Sequence, residues 1–276
     1  GTATVTITLS GPSSEDTVLD IVTTTGTAGT ADYTTVTTQV TIPAGSTSVT
    51  VNVPITDDLL DEPNETFTVD ATLVSGTIDT AGSDFQGEVT IVDNDGTPTV
   101  SISDVTVNEG DGTATVTITL SGASSEDTVL DIVTTTGTAG TSDYTTVTTQ
   151  VTIPAGSTSV TVSIPITDDL LDEPNETFTV DATLVSGTID TAGSDFQGEV
   201  TIIDNDGTPT VSISDVTVNE GDGTATVTIT LSGASSEDTV LDIVTTTGTA
   251  GTSDYTTVTT QVTIPAGSTS VTVSIP

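Results

Sequence analysis

The sequence predicts an all-β chain of tandem Ig-like antiparallel β-sandwich domains, about seven strands each. Three observations lead there. Apolar residues alternate with polar ones at period two, the spacing of a half-buried strand. The apolar positions are rich in β-branched residues, and Thr fills the solvent-facing positions between them. The pattern also recurs: GTATVTITLS begins at Gly1, Gly112 and Gly223, a period of 112 − 1 = 111 residues. That is the length of a sandwich domain and too long for a solenoid repeat.

The complete central repeat justifies each element in order. Its opening segment carries Val100 and Ile102, changes parity near Asp104 and continues with Val105 and Val107. A parity change of that kind predicts a bulge or a strand that switches sheets. In Thr113–Leu120, Val116, Ile118 and Leu120 face one way and Thr115, Thr117 and Thr119 the other. Val160, Val162, Ile164 and Ile166 repeat the alternation, as do Phe178, Val180, Ala182 and Leu184, and Val200 and Ile202 give the last strand its inner face. No helical period appears.

The turn-rich Asp93-Asn94-Asp95-Gly96-Thr97-Pro98 recurs as Asp204-Asn205-Asp206-Gly207-Thr208-Pro209 and marks the domain boundaries. The chain divides into residues 1–96 lacking a first strand, a complete domain at 97–207, and 208–276 lacking its last strands. Aligning 1–165 with 112–276 leaves five mild differences: Pro12/Ala123, Ala31/Ser142, Asn52/Ser163, Val53/Ile164 and Val92/Ile203. Such near-identity is the mark of recent duplication in a long array, so the chain is expected to be a window on a longer polymer.

Composition excludes whole classes of function. The chain has 40 acidic residues, no Lys, Arg or His, and a net charge of −40. Nucleic acid and anionic lipid have nothing to bind, because both are held by Lys and Arg. General bases of the His or Lys type, disulfides and thiolate metal sites are absent. Aromatic residues are only 3% with no Trp, which argues against a sugar platform and an enzyme; none is expected. Hydrophobic residues reach 33% with a mean hydropathy of +0.14, and their regular spacing argues against disorder. No apolar run approaches the roughly 20 residues that span a bilayer, so membrane insertion is not expected.

The acids are unevenly placed. Each 111-residue repeat holds 18. The densest run is Asp168-Asp169-Leu170-Leu171-Asp172-Glu173-Pro174-Asn175-Glu176, five carboxylates in nine residues that repel one another unless a cation neutralises them. A second cluster, Asp204-Asn205-Asp206, closes the last strand. Hard oxygen donors without His or Cys favour Ca²⁺ over Mg²⁺. The remaining ten acids per repeat read as a solvated, mutually repelling surface.

These segments resemble the Calx-beta domain family. The likeness is carried by Val107-Asn108-Glu109-Gly110-Asp111-Gly112, Gly137-Thr138-Ala139-Gly140-Thr141-Ser142-Asp143-Tyr144, Ile153-Pro154-Ala155-Gly156, the Asp168–Glu176 run before Phe178, and Asp204-Asn205-Asp206. It implies a two-sheet sandwich, a fold in which some members of the family bind several Ca²⁺ at one end. The ligands it implies in the central repeat are Glu109, Asp143, Asp168, Asp169, Glu173, Glu176, Asp204 and Asp206, with the Leu171 carbonyl. In the first repeat they are Asp32, Asp57, Asp58, Glu62, Glu65, Asp93 and Asp95. The third repeat retains only Glu220 and Asp254. Asn205 and Leu170 stand where the most calcium-rich members carry Asp.

Asn64-Glu65-Thr66 and Asn175-Glu176-Thr177 match a glycosylation sequon inside the same loop, and Tyr33, Tyr144 and Tyr255 read as packing residues. The expectation is a structural, calcium-dependent repeat region outside the cell: a stalk, adhesin extender or filament whose partners are neighbouring repeats of the same or identical chains. An adhesive ligand-binding module and a calcium sensor are the alternatives.

Overall fold

The computed structural model describes all 276 residues. The first repeat forms β1 (Thr2–Thr8), β2 (Thr17–Thr25), β3 (Thr37–Ile42), β4 (Ser48–Pro54), β5 (Leu60–Asp61), β6 (Glu65–Ser75) and β7 (Gln86–Ile91). The central repeat forms β8 (Val100–Ile102), β9 (Val105–Asn108), β10 (Thr113–Leu120), β11 (Ala123–Ser124), β12 (Thr128–Thr136), β13 (Thr148–Ile153), β14 (Ser159–Pro165), β15 (Leu171–Asp172), β16 (Glu176–Ser186) and β17 (Gln197–Ile203). The third forms β18 (Val211–Ile213), β19 (Ala225–Leu231), β20 (Ala234–Ser235), β21 (Thr239–Val244), β22 (Thr259–Ile264) and β23 (Ser270–Ile275).

In the central repeat one sheet has the order β14-β10-β8 and the other β13-β12-β16-β17-β9. Period-two alternation puts Ala114, Val116, Ile118 and Leu120 of one sheet against Leu130, Ile132, Phe178, Val180, Val200 and Ile202 of the other, all buried. Each such Val, Leu, Ile or Phe contributes about 1.5–3 kcal/mol by leaving water. Tyr144 lies flat on Phe178, ring centroids 3.9 Å apart, and Tyr33 on Phe67 at 4.1 Å, so these tyrosines are core residues.

The parity change near Asp104 is a switch between sheets. Antiparallel β8 pairs with β10, Val100 opposite Leu120, and β9 then runs parallel to β17, Val105 opposite Val200. At the crossing the Ser103 N–H donates to the Thr117 carbonyl, while the Asp104 carboxylate accepts the Glu199 N–H of the other sheet at 2.8 Å. In the third repeat β18 forms, but 216–219, the counterpart of β9, takes no strand pairing and leaves Val216 and Val218 exposed.

Consecutive repeats are joined by short parallel bridges. β5 pairs with β11, and β15 with β20. The Ser125 N–H and hydroxyl donate to the Asp61 carbonyl at 3.0 and 3.1 Å, and Ser236 does the same to Asp172 at 3.1 and 3.3 Å.

The acids outside the calcium-type segments are more than a solvated surface. Asp127 accepts the Ala155 N–H at 2.8 Å, Asp111 the Asn108 N–H at 2.8 Å and Asp190 the Ala192 N–H at 3.0 Å. On the outer sheet face Asp131 accepts from Gln150 at 2.9 Å. Asp181 accepts from Gln197 at 2.6 Å and from the hydroxyls of Thr135 and Thr179 at 2.8 and 3.0 Å. Without Lys or Arg, cross-strand Asp–Gln and Asp–Thr pairs take the place of ion pairs. No helix is long and apolar enough to cross a membrane.

Candidate metal centre

Four segments meet at one end of the central sandwich. A single 3₁₀ turn, Glu109–Asp111, follows β9. It is fixed locally: Asp111 accepts the Asn108 N–H, and Gly112 closes the turn at φ 70°, a left-handed backbone that suits glycine. The turn sets Glu109 inward at 4% exposure. The second segment follows β12 and carries Asp143, whose Oδ2 accepts the Gly140 N–H at 2.6 Å. The acidic loop between β14 and β16 supplies Asp169, Glu173 and Glu176. The exit of β17 supplies Asp204 and Asp206.

Carboxylate oxygens from these segments lie within 4.8 Å of one another in three overlapping groups: Glu109 with Asp169 and Glu173, Glu109 with Asp204 and Asp206, and Asp143 with Glu173 and Glu176. Glu109 and Glu173 each belong to two groups, so the donors form one connected cluster. Asp204 Oδ1 and Asp206 Oδ2 are buried with no hydrogen-bond partner. The only donor that reaches the Glu109 carboxylate is the Asp169 N–H, at 3.2 Å.

The electrostatics match that crowding. Burial, reinforced by the charges of Asp169, Asp204 and Glu173, pushes Glu109 up to about 7 despite the Asp169 N–H. Burial, then the hydrogen bond and charge of Asp143, pushes Glu176 to about 7. Glu173 and Asp206 are raised for the same two reasons, burial first and neighbouring carboxylates second. A set of acids each resisting its own charge is what a bound dication relieves.

Two of the residues implied as ligands stand apart. Asp168 is exposed, outside the three groups, and accepts the Asn205 side-chain N–H at 3.0 Å. Leu171 lies in β15, whose backbone faces the next repeat, and its N–H donates to Asp169. In the first repeat Asp32, Glu62 and Glu65 lie within 4.8 Å of one another, and Asp57, Asp58, Asp93 and Asp95 line the same pocket. Burial first and Asp32 second raise both Glu62 and Glu65. In the third repeat Glu220 sits in the same 3₁₀ turn as Glu109 but is exposed, and Asp254 is exposed and caps Gly251 at 2.8 Å.

Sequence reasoning missed the role of Asp61 and Asp172. These loop acids turn away from the cluster and serve the junction, where their carboxylates also accept the hydroxyls of Thr97 and Thr208 at 3.4 and 3.3 Å.

A family model described as the Calx-beta domain matches the chain at residues 1–95, 92–206 and 203–276. Among solved structures, CBD12 from CALX1.2 is 15% identical and covers 73% of this chain and 93% of its own, with a TM-score of 0.34. The apo-form Calx CBD1 domain is 19% identical over 39% of this chain and 99% of its own, TM-score 0.33. The calcium binding domain CBD12 of CALX1.1 is 18% identical over 66% and 72%, TM-score 0.33. No curated protein matches the chain.

Proposed function

The chain belongs to the Calx-beta domain family, and from that premise we propose that its repeats are calcium-binding structural modules of an extended extracellular stalk, adhesin extender or filament. The observation that carries this reading is the pair of orphaned oxygens, Asp204 Oδ1 and Asp206 Oδ2, buried beside Glu109 in a chain with no Lys, Arg or His. Buried carboxylate oxygens without donors are unstable unless a cation is their partner. Glu109, Asp143, Asp169, Glu173, Glu176, Asp204 and Asp206 would hold Ca²⁺, and the ion supplies positive charge that ties the start, middle and end of the repeat together. Asp168 and the Leu171 carbonyl would join only after the loop shifts.

The reading is structural and non-enzymatic, and the proposed partners are neighbouring repeats. The acidic loop that would take the ion also carries the Leu171–Asp172 bridge to the next repeat, so an ordered loop supports an ordered joint. Calcium near the millimolar level outside cells would keep such sites filled.

Isothermal titration of the chelator-free chain with CaCl₂ tests it. Micromolar or tighter binding and a melting temperature that rises with calcium are expected. No heat of binding together with an unchanged melting temperature would defeat the proposal.

A further inference from the structure

We infer that the complete repeat is a shear-loaded mechanical clamp: β9, the second half of its opening segment, lies beside its last strand β17 and parallel to it, so tension along the array that passes β8 is carried by the whole β9–β17 hydrogen-bond ladder at once. Force on a tandem array enters the central repeat at Thr97 and leaves at Gly207. It therefore loads β8 on its antiparallel partner β10, and beyond β8 it pulls the N-terminal side of β9 against the C-terminal side of β17. These strands are parallel neighbours in register from Val105 opposite Val200 to Asn108 opposite Ile203. Opposite pulls on parallel neighbours slide them along their axes, and every ladder bond resists together. Antiparallel neighbours pulled from adjacent ends open one bond at a time.

Two further observations belong to the same device. β9 is anchored across both sheets, because the segment before it is β8, held on β10. The crossover passes so close over β17 that a Cβ on Gly198 would sit 2.6 Å from the Ile102 side chain and 2.8 Å from the Ser103 carbonyl. The calcium-dependent part of the inference rests on the function proposed above. Glu109 follows β9 and Asp204 and Asp206 follow β17, so a shared ion would pin the two loaded strands at their common end.

The absence of Cys lets pulling points be chosen freely. In the full chain, single-molecule force handles are placed on Gly96→Cys with Gly207→Cys, and separately on Gly122→Cys with Ser159→Cys, adjacent ends of the antiparallel pair β10 and β14. A Cβ at any of the three glycines meets nothing within 4 Å. At equal force without calcium, the first pair is expected to outlive the second by about tenfold or more, since forced unfolding follows the unfolding rate. Gly198→Ala is expected to shorten the first lifetime and leave the second unchanged. Equal lifetimes in the two directions, or a Gly198→Ala effect of equal size in both, would overturn the clamp. Calcium is expected to lengthen only the first lifetime, and Glu109→Gln to remove that gain. Direction dependence with no calcium gain would leave the clamp standing and count against the calcium reading alone.

Discussion

Raising the pH from 5 to 8 is expected to destabilise the calcium-free chain, the reverse of an ordinary acidic protein's behaviour over the acid limb. Glu109 and Glu176 are pushed from 4.5 to about 7. A raised folded-state value means that the folded form holds protons the unfolded form has released. The stabilisation is complete below about 4.5 and is lost as pH climbs through 7. The shift of 7 − 4.5 = 2.5 units corresponds to about 3.4 kcal/mol per group in the fully desolvated limit. Glu176 is only half-buried and the cluster opens to solvent, so screening brings the sum for the repeat to about 1–2 kcal/mol. For a domain of this size that lowers Tm by roughly 5–10 °C. The assay is calorimetric melting at several pH values after exhaustive chelation, repeated in excess calcium. Calcium should reverse the slope, because protons and metal compete for the same oxygens. A calcium-free Tm that is flat or rises between pH 5 and 8 would refute the burial argument for Glu109 and Glu176.

Other expectations can be checked by urea or thermal unfolding. Phe178→Ala removes a fully buried ring and the stack on Tyr144, and should cost about 3–5 kcal/mol in the central repeat. Gly137→Ala would put a Cβ 2.4 Å from the Thr177 carbonyl, forcing the backbone apart at a loss of about 1–3 kcal/mol. Asp181→Asn replaces one acceptor oxygen by a donor where three donors converge, a loss of about 1 kcal/mol. Asp181 itself is held below the usual range chiefly by Gln197, despite its burial, so its contribution persists above that range and disappears as pH falls through it. Ser236→Pro removes the N–H that reaches the Asp172 carbonyl, and small-angle scattering should report a wider spread of inter-repeat angles with the domain melt unchanged.

The sandwich was legible because burial on one side of a strand leaves a period-two trace, and even the sheet switch announced itself as a slip of parity at Asp104. The meeting of the acidic segments was legible through the Calx-beta resemblance, whereas charge density alone marked only the loop and the strand end. What sequence did not carry was direction. Glu109 and Glu220 sit in the same local turn, yet only Glu109 is buried, because a strand almost a hundred residues onward closes over its segment. Within the acidic loop nothing local separates Asp169, which joins the cluster, from Asp172, which faces the next repeat. A two-residue bridge such as Leu171–Asp172 on Ala234–Ser235 is too short to have a period. The acids read as mere surface charge are turn caps and cross-strand acceptors, and their partners are backbone N–H groups that every residue possesses.

The parallel bridge between repeats has a polarity. In both joints one side is an acidic loop whose Asp carbonyl accepts and the other an Ala-Ser strand whose following serine donates, so the two faces of a joint are different surfaces. A contact of that heterologous kind has no two-fold axis and cannot pair two repeats into a closed dimer. Within the chain it recurs head to tail, at β5 on β11 and again at β15 on β20. Length then becomes a freely variable trait: duplicating or deleting one 111-residue unit leaves every remaining joint chemically identical to the one before it.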